Sequence, residues 1–331
     1  MLRSEVVSTG YYVPERVITN EDLTQWMDTS DEWIVQRSGI AERRWVEGGT
    51  GSSDLGKEAA ERALASAGLE AGDLDCIIVA TLSPDVYFPG SGVFMQRKLG
   101  IKNVPCLDVR NQCSGFIYGL SVADAWIRTG MYKRILLVGT EVQSTGLILS
   151  TAGRDTAVLF GDGAGAVILG PTEDGDRGVL SVNIHADGRH AEKLWMEAPG
   201  SRYKPWLVPE QIEKGLTRPM MEGREVFKHA AVKMPAAVKE ALADVGLSLD
   251  DIDYVIPHQA NQRITQAVQK SLGLPDEKVI SNIHKYGNTT AASIPIALHE
   301  AVEDGRIRRG SLVALTAFGS GFTWGAALIR W

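Results

Sequence analysis

The stretch "ALASAGLEAGDLDCIIV" at positions 63–79 returns 178 residues later as "ALADVGLSLDDIDYVIP" at positions 241–257, with eight of 17 positions identical. Each copy predicts a helix that stops at a glycine, followed by an acidic turn and a buried strand. Two further echoes follow in the same order: "LGI" pairs with "LGL", and "FGDGAGAVILG" pairs with "FGSGFTWGAALIR". Three echoes in register indicate an internal duplication.

The apolar runs of both halves predict strands. They are "CIIVAT", "RILLVGTE" and "TAVLFG" in the first half, and "YVIPH" and "LVALTAFG" in the second. Continuous apolar runs are typical of strands that are covered on both faces, and here they alternate with predicted helices. We therefore expect an α/β fold of two halves, residues 1–172 and 173–331, related by a pseudo-twofold axis.

The composition limits the possible functions. The 331 residues are 44% hydrophobic, which is ample for a large core, and a net charge of −7 argues against general binding to nucleic acid or membrane. The sequence "MLRSEVVSTG" lacks the apolar stretch of a signal peptide, and no run approaches the roughly 20 apolar residues of a membrane span. Three widely spaced cysteines form neither a disulfide framework nor a metal-binding pair. We expect a cytoplasmic protein with reduced thiols and no metal.

The duplication also brings three polar residues together. The offset of 178 places His258 opposite Ala80, at the end of the first-half strand. Counting onward from "LGI" and "LGL", with two extra residues in the second half, places Asn288 opposite Cys113. Because both junctions then face the pseudo-axis, Cys113, His258 and Asn288 are expected to lie in one place.

Cys113 begins the predicted helix "CSGFIYGLSVADAWIRTG". Unpaired N–H groups and the positive end of a helix dipole lower the pKa of a thiol, which suits a nucleophile for acyl transfer. The alternative is a small core residue that begins a packed helix. Cys76 and Cys106 lie in apolar runs, so we expect them to be buried and inert.

Three further motifs have two possible interpretations each. In "HKYGNTTAASIP", Asn288 is a functional donor or only a helix N-cap. In "AFGSGFTWG", the glycines allow a tight turn that directs the Ser320 amide into a cavity, where it would form an oxyanion hole with the Cys113 amide, or the motif is a plain hairpin. In "TSDEWIVQRSGI", Trp33 and Arg37 are spaced to hold an adenine or a phosphate, or they simply pack.

Arg263 and Lys270 follow His258 on one face of a predicted helix. This face can bind a phosphate or an acidic partner, or it is only solvated. "FGDGAGAVILG" has GxGxG spacing and runs into a strand, so it does not match a dinucleotide-binding loop.

Together, "QCSGFIYGL", "VIPHQANQRI", "YGNTTAASIP" and "AFGSGFTWG" resemble the β-ketoacyl-[acyl carrier protein] synthase III family of the thiolase superfamily. The resemblance runs from about residue 5 to Trp331. It implies a duplicated thiolase-like fold layered α-β-α-β-α, a homodimer, and a triad of cysteine, histidine and asparagine.

The resemblance also implies the reaction. Cys113 would accept an acyl group from acyl-CoA, while His258 and Asn288 would stabilise the enolate formed as a malonyl thioester loses CO2. This chemistry needs a neutral, donating His258 and a donating Asn288, with the Cys113 and Ser320 amides at the oxyanion. The product would be a 3-oxoacyl thioester. The extender would be malonyl-[acyl carrier protein] or malonyl-CoA, and no cofactor is expected.

The resemblance assigns further residues to the substrates. CoA would be bound by Trp33, Arg37 and Arg154, the acidic carrier protein by Lys228, Arg263 and Lys270, and the acyl pocket would be shaped by Phe318 and by Phe88 from across the dimer.

Some positions depart from the usual pattern of the family. Gln112 precedes the nucleophile where the fatty-acid-initiating enzymes usually have a small residue, and Ser320 replaces a glycine. The aromatic segment 191–223, with Trp195 and Trp206, borders the acyl pocket or is a surface excursion. Open alternatives are a secondary-metabolite enzyme with a longer or aromatic starter, a CoA-to-carrier acyltransferase or thioesterase, and a non-catalytic module that binds acyl thioesters.

Overall fold

The computed structural model describes residues 2–331, so Met1, the first residue of the first predicted half, lies outside the described residues. Two open β-sheets dominate the fold. The first sheet contains β1 (Arg3–Tyr12), β4 (Cys76–Ala80), β5 (Cys106–Val109), β6 (Ile135–Glu141) and β7 (Gly163–Thr172), in the order β1-β7-β6-β4-β5. The second contains β8 (Gly178–Ala186), β11 (Tyr254–Pro257), β12 (Leu312–Gly319) and β13 (Thr323–Arg330), in the order β11-β12-β13-β8.

The two sheets repeat one topology. β4 and β6 are parallel, as are β11 and β12, and each pair continues through two antiparallel neighbours. β5 pairs in parallel with β4, and its counterpart in the second half is a single parallel bridge between Val255 and Val279. Gly68 and Gly246, which are equivalent in the repeated stretch, both have positive φ just after a helix. The predicted duplication is therefore confirmed at the level of strand order and helix ends.

Helices form three layers around the two sheets. The outer layer of the first sheet consists of α3 (Ser52–Ala67) and α4 (Ser91–Lys98), and that of the second sheet of α8 (Gly223–Asp244) and α9 (Gln262–Leu272). Between the sheets lie α5 (Gly115–Arg128) and α11 (Ser293–Glu303), whose apolar side chains contact strands of both. Each fully buried Ile, Leu or Phe side chain there stabilises the fold by about 1.5–3 kcal/mol.

The sheets are buried on both faces, as the continuous apolar runs predict. In β4, Ile77 and Val79 pack against the outer helices, while Cys76 and Ile78 pack toward the middle layer. The prediction of a strand at "TAVLFG", however, is wrong, because residues 154–157 form a short helix and β7 begins only at Gly163. Ala157 and Val158 are buried in a separate apolar cluster beside the first short helices, so their hydrophobicity does not mark a strand.

The remaining elements are short. They are β2 (Val17–Thr19) paired with β3 (Glu42–Arg44), β9 (Leu194–Trp195) paired with β10 (Met220–Met221), and the helices α1 (Asn20–Leu23), α2 (Asp31–Ser38), α6 (Arg154–Ala157), α7 (Pro209–Glu213) and α10 (Ile283–Tyr286). Within residues 2–331, no helix has the length and hydrophobicity needed to cross a membrane. The boundary between residues 172 and 173 falls between β7 and β8, and the division into two halves there stays a prediction.

Candidate active site

A cavity of about 710 Å³ opens where strands from both sheets end. Cys113 follows β5, His258 follows β11, and Ser320 follows β12. Asn288 joins them from the segment between α10 and α11. The offset of the repeat therefore brings Cys113, His258 and Asn288 to one cavity, as predicted.

Cys113 lies in a 3-10 turn, residues 112–114, that leads directly into α5. A Cβ atom added to Gly319 would lie 2.8 Å from Cys113 Cβ, so only glycine allows β12 to end this close to the thiol. Burial, reinforced by the charge of Glu141, raises the pKa of Cys113 to about 12. The expected lowering of this pKa is wrong, because desolvation and a facing carboxyl outweigh the helix N-terminus. The thiol is neutral at pH 7 and must lose its proton during acyl transfer.

His258 is held by hydrogen bonds at its backbone and at its ring, and its carbonyl oxygen accepts the Ala260 N–H at 3.0 Å. Its N–H donates to Thr316 O at 2.8 Å, and Nδ1 lies 2.7 Å from Ser293 Oγ. Ser293 Oγ also accepts the Gln259 N–H at 3.3 Å, which leaves the hydroxyl hydrogen for Nδ1 and the ring proton for Nε2. Nε2 is buried and has no partner among residues 2–331, and burial lowers the pKa of His258 to about 3. The ring is thus a neutral donor, as the predicted chemistry requires.

Asn288 is fixed with its amide nitrogen free. Its backbone N–H donates to Leu159 O at 2.8 Å, and its Oδ1 accepts the Thr290 N–H at 2.9 Å. With the oxygen engaged, Nδ2 remains as a donor at the cavity wall. Asn288 is not the N-cap of α11, because Ala292 occupies that position, although Asn288 Oδ1 accepts the first N–H of the 3-10 turn 290–292.

The turn after β12 borders the nucleophile. Ser320 lines the cavity, and its hydroxyl donates to Leu194 O on β9. The Thr323 hydroxyl donates to Ser320 O at 2.9 Å and lies 2.7 Å from Ser114 Oγ, which connects the turn to the neighbour of Cys113. The contribution of the Cys113 and Ser320 amides to an oxyanion hole stays a prediction.

The wall of the cavity is largely apolar. Phe318 lines it and packs against Phe322, with ring centroids 4.8 Å apart. The 191–223 segment also lines it, through residues that include Trp195, so the expectation that it borders this pocket is confirmed. Trp206 instead packs on Tyr87 at the surface, 4.7 Å between centroids. Phe88 is 74% exposed and does not line the cavity of its own chain.

The residues assigned to CoA lie together. The guanidinium carbons of Arg37 and Arg154 lie 4.2 and 4.5 Å from the ring centroid of Trp33. Arg37 also lines the cavity, so this cluster borders it. An adenine that stacks on Trp33 would have to replace one of the two guanidinium groups.

The residues assigned to carrier-protein docking are more dispersed. Arg263 lines the cavity and donates from Nε and Nη2 to Gln36 O at 3.2 and 2.8 Å, tying α9 to α2. Lys270 is exposed in the last turn of α9, and Lys228 is exposed on α8, 4.0 Å from Glu225. Neither lysine lines the cavity.

The two other thiols are structural. Burial raises the pKa of Cys76 to about 12 and that of Cys106 to about 11. Cys76 is fully buried as expected, but Cys106 on the edge strand β5 is only half-buried. Among the described residues 2–331, no group of three or more His, Cys, Asp or Glu side chains is placed to hold a metal.

The sequence reasoning missed Glu141 at the end of β6. This buried carboxyl accepts N–H groups from Leu82 at 3.2 Å and from Ala291 at 3.4 Å, and the Ser83 hydroxyl at 2.6 Å. It therefore holds the segment after β4 and the turn beside Asn288 in one network. Burial raises its pKa. A glutamate at the end of the apolar run "RILLVGTE" was the available signal.

The chain matches family models for two parts of one enzyme. Residues 107–188 match the 3-oxoacyl-[acyl-carrier-protein] synthase III model, and residues 242–331 match its C-terminal model. The chain is similar to curated β-ketoacyl-[acyl-carrier-protein] synthase III proteins of Rhodospirillum centenum (46% identity, 100% of this chain and 99% of the relative) and Acidiphilium cryptum (48%, 100% of both).

Solved structures are similar to this chain over nearly its whole length. The 3-oxoacyl-[acyl-carrier-protein] synthase III of Aquifex aeolicus has a TM-score of 0.91 at 42% identity, covering 99% of this chain and 100% of that one. The priming β-ketosynthase of the R1128 polyketide pathway has a TM-score of 0.89 at 32% identity, covering 99% and 96%. The duplicated thiolase-like α/β fold with α-β-α-β-α layers is confirmed. The chain belongs to the β-ketoacyl-[acyl carrier protein] synthase III family of condensing acyltransferases.

Proposed function

We propose that this enzyme transfers an acyl group from acyl-CoA to Cys113 and condenses it, with loss of CO2, with malonyl-[acyl carrier protein] or malonyl-CoA. The products are a 3-oxoacyl thioester, CO2 and CoA, in fatty acid initiation or a related pathway. The observation that carries the proposal is that the Cys113 thiol shares one cavity with two oriented donors, His258 Nε2 and Asn288 Nδ2. Family membership supports the same reaction.

In the first half-reaction, Cys113 Sγ attacks the thioester carbonyl of acyl-CoA. The S–C bond to the cysteine forms, the S–C bond to CoA breaks, and the thiol proton leaves with the CoA thiolate. The negative charge on the carbonyl oxygen of the tetrahedral intermediate needs hydrogen-bond donors, which the backbone N–H groups of Cys113 and Ser320 would supply. Gly319 supports this role. Because it has no side chain, the turn that carries Ser320 can pack directly against Cys113.

In the second half-reaction, the malonyl thioester oxygen accepts from His258 Nε2–H and Asn288 Nδ2–H. The bond to the carboxylate breaks, CO2 leaves, and the electron pair forms an enolate on that oxygen. Its carbon then attacks the acyl-Cys113 carbonyl, a C–C bond forms, and the S–C bond to Cys113 breaks. The departing Cys113 thiolate takes a proton from water, which restores the thiol. Two neutral donors suit this step, because they stabilise the enolate without competing for its electron pair as an acid would.

The substrates contact different parts of the protein. Trp33, Arg37 and Arg154 would bind the nucleotide of CoA, which their mutual contacts support. Lys228, Arg263 and Lys270 would meet the acidic carrier protein, and none of these steps requires a cofactor. The cytoplasm suits the nucleophile because thiols there are kept reduced.

A homodimer belongs to the same proposal. Phe88 is 74% exposed beside Tyr87, which is 53% exposed. A second copy of the chain would cover these aromatic side chains and receive Phe88 in its acyl pocket, in agreement with the family resemblance.

The test is intact-protein mass spectrometry after brief incubation with acetyl-, butyryl-, octanoyl- and benzoyl-CoA. We expect an acyl adduct on the wild type and on Cys106→Ser, the matched thiol control, and none on Cys113→Ser. Malonyl thioester should discharge the adduct with release of CO2. Discharge without CO2 would favour an acyltransferase or thioesterase, and no adduct with any donor would favour a binding module. The preferred donor distinguishes fatty acid initiation from a secondary-metabolite starter.

A further inference from the structure

Gln143 is a polar residue on the cavity wall that the proposed mechanism does not use. It is the second residue after β6 ends at Glu141, and its backbone is fixed. The N–H groups of Gln143 and Ser144 donate to the buried Asp162 Oδ1 at 2.7 and 2.9 Å. The side chain therefore starts from a rigid position.

The orientation of the Gln143 amide is determined by its neighbours. Nε2 donates to Glu141 Oε2 at 3.1 Å and approaches Thr290 Oγ1 at 3.4 Å. Glu141 accepts the N–H groups of Leu82 and Ala291 at Oε1 and the N–H and hydroxyl of Ser83 at Oε2, so both of its oxygens act as acceptors. The carboxylate thus requires the amide nitrogen to face it, and the opposite orientation would set two oxygens against each other.

The amide oxygen then faces the cavity. Oε1 of Gln143 has no hydrogen-bonding partner among residues 2–331, and it is not one of the buried unpartnered atoms of this part of the chain. Since the residue lines the cavity, this oxygen is an open acceptor in the wall.

This acceptor lies close to the nucleophile. The turn 290–292, which contains Thr290, packs directly against the turn 112–114, which contains Cys113. Cys113 and Gln143 also line the same cavity. An acyl chain attached to Cys113 therefore shares its cavity with an acceptor that a hydrocarbon cannot satisfy. A hydrocarbon chain that covers an open acceptor removes its water and leaves it unpaired, so such a site discriminates strongly against the analogue that lacks the matching donor.

We propose that Gln143 Oε1 accepts a hydrogen bond from the starter acyl group, so that the enzyme favours hydroxyacyl-CoA thioesters over the unsubstituted acyl-CoA of the same length. This inference rests on the proposed acyl transfer to Cys113. It names a specificity-determining residue and a chemical class of starter.

The experiment is a competition in one tube. Equal concentrations of a hydroxylated donor and its parent compete for the wild type, and intact mass resolves the two adducts by one oxygen atom. The pairs are 2-hydroxybutyryl- and 3-hydroxybutyryl-CoA, each against butyryl-CoA, and 6-hydroxyhexanoyl- against hexanoyl-CoA. We expect at least one hydroxylated donor to be favoured about tenfold, since an acceptor that the parent chain covers and leaves unpaired costs that much or more.

Gln143→Leu should abolish this preference, and Gln143→Asn, which withdraws the acceptor, should weaken it. Gln112→Leu, the control at the other glutamine of the cavity, should keep the wild-type ratio. Because each ratio comes from one preparation, the folded fraction cancels. A wild type that favours the parent in all pairs, or a ratio unchanged in Gln143→Leu, would overturn this proposal alone. Absence of every adduct would overturn the proposed acyl transfer and, with it, this inference.

Discussion

The buried imidazole of His258 should make the protein sensitive to mild acid. Its ring is 2% exposed, and burial lowers its pKa to about 3 from an ordinary value of 6.5. Above pH 6.5, the histidine is neutral in both the folded and the unfolded chain. As the pH falls from there toward 3, the unfolded chain binds a proton that the folded chain does not, so stability is lost across this window.

The size of the effect follows from the width of the window. Each pH unit below 6.5 costs about 1.4 kcal/mol, so lowering the pH from 7 to 5 removes about 2 kcal/mol of unfolding free energy through this one residue. His258→Gln has no group that titrates there. The other histidines contribute equally to both proteins and cancel in the comparison.

The assay is urea unfolding of the wild type and His258→Gln at pH 7 and pH 5. We expect the wild type to lose about 2 kcal/mol more than the variant. His284→Gln, which removes an exposed histidine, should lose as much as the wild type. An equal loss in the wild type and His258→Gln would show that His258 is not buried in the neutral form, and the argument for its role as a neutral donor would fail.

Three other substitutions separate the steps of the reaction. Gly319→Ala should slow acyl-adduct formation on Cys113 about 100-fold, because the new methyl group displaces the thiol. The control Gly72→Ala, at a position with open space around it, should form the adduct at the wild-type rate, and intact mass measures both. Ser293→Ala should slow malonyl decarboxylation about tenfold while adduct formation is unchanged, measured as CO2 release. An equal loss in both half-reactions would contradict its positioning role. Trp33→Ala should raise the KM for acyl-CoA about tenfold but not that for an acyl-pantetheine, and equal increases would exclude nucleotide binding there.

The topology and the location of the site could be predicted because their signals are local and repeated. A helix stop, an acidic turn and a buried strand occupy adjacent positions, and a duplication preserves where each strand ends. The sequence offset between the two copies therefore predicted that His258 and Asn288 lie near Cys113, with no assumption about the chemistry.

The rest depended on contacts between distant residues. Ser293 lies 35 positions from His258, and Glu141 lies 150 positions from Ala291, so neither pairing leaves a sequence pattern. The pKa of Cys113 is raised, whereas the sequence predicts a lowered pKa. The position of Cys113 before a helix can be read from the sequence, but its desolvation cannot. "TAVLFG" failed as a strand for a related reason, since an apolar run indicates burial and not the element that provides it.

The strand order of the second sheet has a consequence for biosynthesis. β13 lies between β12 and β8, although β8 precedes it by more than one hundred residues. During translation, the inner edge of β8 stays unpaired until residues 323–330 have left the ribosome, and Ser320 arrives only just before them. A nascent chain thus carries Cys113 long before the second sheet that completes the cavity can close, and until then β8 presents an unpaired strand edge.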